Sequence, residues 1–148
     1  SSGCHVAEVE IDAETGEVRL DRYMSVDDVG NTVNPMIVHG QVQGGIASGL
    51  GQAVLERTEY DASGQLLSGS YMDYALPRAD DMPSLSGSLF EKATCLTNPL
   101  GAKGTGEIGA VAGPPAIVHA VIDALAEKGI TQVDMPLQPQ KIWECLNR

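Results

Sequence analysis

The sequence predicts an α+β fold, a mixed sheet with hairpins packed by two or three helices, and three stretches carry that prediction. Val6 to Ile11 reads Val-Ala-Glu-Val-Glu-Ile, the two-residue apolar–polar period of a half-buried strand. Val38, Val42, Ile46, Leu50 and Val54 recur every fourth residue, the stripe of a helix packed on one side. Ile117, Val118, Val121, Ile122 and Leu125 form a second helical face behind Pro114-Pro115.

Taken in order, the first strand turns at Asp12 to Glu17, with Gly16 where a positive φ is tolerated. A second strand, Val18 to about Val26, completes a hairpin. Asn34-Pro35 opens a helix running to about Leu55. A strand from Glu56 to Tyr60 turns at Asp61 to Gly64 into Gln65-Leu66-Leu67, and Tyr71 to Pro77 reads as extended and partly buried. Leu85 to Glu91 is another strand, and Thr97 to Gly113 an ordered glycine-rich loop. The helix that Pro114 starts ends at a Gly129 cap, and a short helix spans roughly Pro139 to Leu146. With 148 residues and no internal repeat or low-complexity linker, the chain is expected to form one domain over residues 1–148.

Aromatic residues make up only 4% of the chain, so the core must rest on Val, Ile, Leu, Ala and Met. A formal charge of −11 argues against a nucleic-acid partner, which needs clustered Lys and Arg. No apolar run long enough to span a bilayer is expected, nor a basic-then-apolar leader. Cys4, Cys95 and Cys145 lie far apart, so this chain alone builds no zinc knuckle or iron–sulfur site, and the odd count fits reduced, cytosolic thiols. His5, His39 and His119 each stand isolated, which predicts no metal-ligand set. Asp27-Asp28 before Gly30-Asn31 lacks the spacing and closing Glu of a calcium loop, and turn chemistry with helix capping explains it better.

Two glycine-rich stretches carry the chemistry. In Asn98-Pro99-Leu100-Gly101-Ala102-Lys103-Gly104-Thr105-Gly106-Glu107-Ile108-Gly109, the glycines let backbone approach a ligand, and successive N–H groups can form an anion-binding concavity. Lys103 adds positive charge. Glu107 is a single carboxylate ahead of a helix, and partial removal from water would suit it to general-base work. The competing reading is a structural turn with a solvated Glu. In Gly40-Gln41-Val42-Gln43-Gly44-Gly45-Ile46-Ala47-Ser48, no dinucleotide fingerprint is present. Gln41, Gly45, Ser48 and Gln52 share a small, polar helix face. That face packs either against a bulky planar ligand, with Gln41 as donor and acceptor, or against another helix.

These segments, in this order, resemble one family. Asp27-Asp28-Val29-Gly30-Asn31-Thr32-Val33-Asn34-Pro35 with Gly40-Gln41-Val42-Gln43-Gly44-Gly45, Tyr71 to Ala79, Thr97 to Glu107, Pro114-Pro115-Ala116, and Met135-Pro136-Leu137 with Trp143 are similar to segments of molybdenum hydroxylase large subunits. That family is the xanthine dehydrogenase/aldehyde oxidase class, and the likeness is greatest to its bacterial branch with carbon-monoxide-dehydrogenase-type large subunits. The resemblance implies a C-terminal fragment of a molybdopterin-binding domain, and a molybdenum–molybdopterin cofactor, usually in its cytosine dinucleotide form. It implies that Glu107 is the general base, that Gln41 hydrogen-bonds the cofactor, and that Lys103, Gly104, Thr105 and Gly106 line the site. It also implies water-derived hydroxylation of an aldehyde, N-heterocycle or similar carbon, in the cytoplasm. The implied partners are the remainder of the large subunit and iron–sulfur and FAD subunits, and the chain alone would be inactive. Ser48 stands where many members carry glutamine, and His39 where an acidic residue is common. A second class of function is a stand-alone module that kept the fold as a binding or assembly piece.

Overall fold

The computed structural model describes residues 1–147. The α+β expectation holds, with a three-stranded mixed sheet and three α-helices. Strand β1 (Ser2–Ile11) pairs antiparallel with β2 (Val18–Asp28), and β2 pairs parallel with β3 (Leu85–Leu89). The hairpin turns at Gly16 with φ 76°, as its sequence predicts. A side chain there would also strike the Pro139 carbonyl, because helix α3 (Pro139–Leu146) lies on the turn.

Helix α1 (Pro35–Leu50) starts where Asn34 accepts a hydrogen bond from the Ile37 N–H, and continues as a wider π-turn to Leu55. Its predicted stripe is the one that is buried: Val38, Val42, Ile46, Leu50 and Val54 are all at most 9% exposed. Helix α2 (Ile108–Leu125) contributes Ile117, Val121 and Leu125 to the same core, which Leu20, Tyr23, Leu137 and Ile142 complete. Each such aliphatic burial stabilises by about 1.5–3 kcal/mol.

Three expectations need correction. Helix α2 begins at Ile108 rather than Pro114, so the predicted loop is shorter and the proline pair lies inside the helix. The Pro114 ring sits in the helix crossing, over Gly49, where packing outweighs the lost N–H groups. The expected strands at Glu56–Tyr60 and Gln65–Leu67 reduce to one isolated Tyr60–Leu66 bridge, because Asp61 draws the Ser63 and Gln65 N–H groups into a side-chain turn. Residues 71–77 are not a partly buried extended segment: Tyr71 and Met72 are 85% and 94% exposed on a turn held by Ser70 and Asp73. In addition, Ile108–Lys128 is long and apolar enough to cross a membrane, contrary to the expectation of no such run. Its packing on α1 and β1 through Ile117, Val121 and Leu125 is that of a core helix.

Candidate functional site

The two glycine-rich motifs meet through backbone. Gly45 of α1 lies against Gly109 and Ala110, and Gly49 against Gly113 and Pro114; a Cβ on Gly109 would sit 2.3 Å from the Val42 carbonyl oxygen. The pairs step forward together, so α1 and α2 run parallel with their N-terminal ends at one end of the molecule. Helix packing therefore accounts for Gly45 and Gly49. Gly40 and Gly44, on the same helix, face open space. Gln41 is exposed one turn before Gly45, towards the end at which Glu107 stands.

A second junction ties the end of β2 to the loop before α2. Gly30 and Gly101 both take φ 66°, which glycine adopts freely. Around them the Lys103 N–H donates to the Val29 carbonyl at 2.8 Å, the Asn31 N–H to the Gly101 carbonyl at 3.0 Å, and the Asn31 amide to the Leu100 carbonyl at 2.8 Å. Lys103 Nζ donates to Asp28 Oδ2 at 2.5 Å, and Asp28 also accepts from the Gly30 N–H. The hydrogen bond from Lys103, first, and that from Gly30, second, hold the Asp28 carboxyl below its ordinary range. The Lys103 charge is thus directed to Asp28, while its backbone leads into the site.

Beyond this junction, Gly104, Thr105, Gly106 and Glu107 line a cleft of about 490 Å³ between the start of β1 and the first turns of α2. Ile108, Val111 and Ala112 make its helical side apolar. Glu107 is the N-cap residue of α2 and its side chain makes no capping hydrogen bond. It is exposed, so this chain by itself does not withdraw the carboxylate from water. Thr105 Oγ1 is buried without a hydrogen-bond partner among the described residues, and a Cβ on Gly104 or Gly106 would meet nothing within 4 Å. No group of three His, Cys, Asp or Glu side chains is placed to hold a metal ion among the described residues.

One feature escaped the sequence. His5, which appears isolated along the chain, lines the same cleft and is hydrogen-bonded at both ring nitrogens, to Tyr23 at 2.8 Å and Asp27 at 2.9 Å. The signal was present in β2, whose inward residues change from Leu20 to Tyr23, Ser25 and Asp27, polar groups on a face that should stay apolar.

Known proteins share this fold and sequence pattern. A family described as molybdopterin cofactor-binding domain matches residues 1–83. The carbon monoxide dehydrogenase large chain of Hydrogenophaga pseudoflava is 37% identical over 97% of this chain, and the nicotine 6-hydroxylase large subunit of Paenarthrobacter nicotinovorans 37% identical over 96%. The crystal structure of quinoline 2-oxidoreductase from Pseudomonas putida 86 superposes with a TM-score of 0.91 at 40% identity over 99% of the chain. The chain spans only 18%, 17% and 18% of these three proteins, respectively.

Proposed function

The chain belongs to the molybdopterin cofactor-binding domain family, and from that premise we propose that it forms one part of the active site of a molybdenum hydroxylase, with Glu107 as general base. The observation that carries this is the cleft itself. It has a free carboxylate at its rim, an unpartnered buried hydroxyl on Thr105, and two glycines whose missing side chains leave room for a group from outside the chain. These features fit a bulky, hydrogen-bonding cofactor. Thr105 and the N–H groups of the Gly104–Gly106 loop would hold it, and Gln41 would reach it from the neighbouring helix end with an amide that both donates and accepts.

When bound, a molybdenum–molybdopterin cofactor, in its cytosine dinucleotide form, would supply the two-electron acceptor for oxidation of a carbon centre. The chain's own contribution is proton transfer. A Glu107 carboxylate oxygen takes the proton from a water-derived oxygen as that oxygen attacks an aldehyde, N-heterocycle or similar carbon of the substrate. The remainder of the large subunit would close the cleft over Glu107 and exclude bulk water from it. Lys103 acts at a distance, by fixing the loop through Asp28. Iron–sulfur and FAD subunits would carry the electrons away, in the cytoplasm, and residues 1–148 would be one domain of the assembly.

The test is Glu107→Gln in the assembled enzyme, assayed with aldehyde, N-heterocycle and purine donors. Molybdenum content and fold should be unchanged and turnover should fall by about 10²–10⁴-fold, the loss expected for a general base. Near-normal turnover would sink the assignment.

A further inference from the structure

The inner face of the β1–β2 hairpin changes character along its length. Towards the turn it is apolar, with Ala7, Val9, Ile11 and Leu20 on the core. Towards the cleft it turns polar: Tyr23, Ser25 and Asp27 follow one another at 1%, 5% and 1% exposure, and His5 stands opposite Ser25. Burying polar groups is unfavourable unless they are paired, and a buried carboxylate–imidazole pair adds little stability over an apolar packing of the same volume. The polar patch lies at the end of the hairpin where Ser2, Gly3 and His5 of β1 wall the cleft.

We propose that His5 is a positioning residue of this cleft: held between Asp27 and Tyr23 through both ring nitrogens, it fixes the first residues of β1 as the wall facing Glu107. This rests on the cleft being the functional site proposed above. Burial, and after it the Asp27 carboxylate, hold the Tyr23 phenol far above its ordinary range, so the hydroxyl keeps its proton. His5 Nδ1 hydrogen-bonds the Tyr23 hydroxyl at 2.8 Å, and Nε2, facing Asp27 Oδ1 at 2.9 Å, donates its ring proton to that carboxylate. The side chains of His5 and Asp27 are 2% and 1% exposed, and the imidazole stands edge-on to the Tyr23 ring at 80° with centroids 5.6 Å apart. The same carboxylate leaves no room for a side chain at Gly3, where a Cβ would lie 2.5 Å from Asp27 Oδ1. Both ring nitrogens are engaged inside the protein. His5 therefore acts on the site through the strand it anchors, as neither metal ligand nor acid–base group.

Two measurements test this, one without any cofactor. In proton NMR of this chain, the His5 Nε2–H should give a resolved, slowly exchanging downfield signal. His5→Gln, whose amide keeps an acceptor towards Tyr23 and a donor towards Asp27, should preserve the backbone amide shifts of residues 104–108. His5→Leu should displace them, and Tyr23→Phe should quicken Nε2–H exchange while keeping the ring's bulk. In the assembled subunit, molybdenum retained after gel filtration should fall roughly tenfold in His5→Leu, as when an outer-shell partner is removed, and recover in His5→Gln. Absence of the protected Nε2–H signal overturns the proposal, as does a Leu variant with unchanged amide shifts or a Gln variant that behaves like Leu. If the unsubstituted subunit holds no molybdenum, the functional reading fails instead, and the NMR result still decides the role of His5.

Discussion

Asp28 shows how a single side chain joins two motifs that lie seventy-five positions apart. It accepts from Lys103 Nζ and from the Gly30 N–H, and both bonds favour its charged form. Its carboxyl titrates below the ordinary value of 3.8 in the folded protein, so the stability it contributes is present above that pH and is lost as pH falls through the lower folded value. Lys103→Met should therefore lower the melting temperature at neutral pH, and the gap from the unsubstituted protein should close as the pH is taken down through the carboxylate range. Thermal melts at pH 7, 4 and 2.5 would check this; a gap that widens in acid would refute the pairing. At this scale the sequence was only partly legible. Glu107 and the Gly104–Gly106 loop stand out as a motif, whereas the Asp27–His5–Tyr23 set is invisible along the chain because its members are brought together by strand register.

Among the elements, the parallel crossing of α1 and α2 positions the site, and its glycines divide into two kinds. Gly109 faces the Val42 carbonyl so closely that Gly109→Ala must push the helices apart, at a cost of about 1–3 kcal/mol or more. Gly104 faces open space at negative φ, so Gly104→Ala should leave the melting temperature of this chain unchanged or slightly raised. In the assembled subunit the same substitution should lower molybdenum content, because the added methyl enters the space proposed for the cofactor. Chemical denaturation of both variants, with elemental analysis of the second, separates packing glycines from site glycines. Equal destabilisation by both would erase the distinction. The four-residue stripe of α1 and the alternation of β1 were readable because each reports a face that water avoids. The start of α2 was misplaced because its first turns, Ile108 to Gly113, carry two glycines and run into Pro114-Pro115, a weak helix signal that only packing on α1 overrides.

For the molecule as a whole, the chain spans 18% of the carbon monoxide dehydrogenase large chain it matches, and it leaves Met36, Ile37, Leu100 and Val111 more than half exposed. Purified alone, it should bind no molybdenum and turn over no substrate; co-expressed with the remainder of a large subunit, it should copurify with the metal. Molybdenum absent from the pair as well would favour the non-catalytic module instead. What the sequence by itself determined is local: the periodicities that make β1, β2, α1 and α3, the Gly16 turn, the Asn34 cap and the order of motifs that marks the family. These depend on neighbours along the chain, whose spacing is covalent. Only the tertiary structure decided that Lys103 turns to Asp28, that α1 and α2 run side by side through Gly45 and Gly109, and that His5 is locked behind the Glu107 cleft. Each is a contact between segments that meet only once burial of the core has fixed their register.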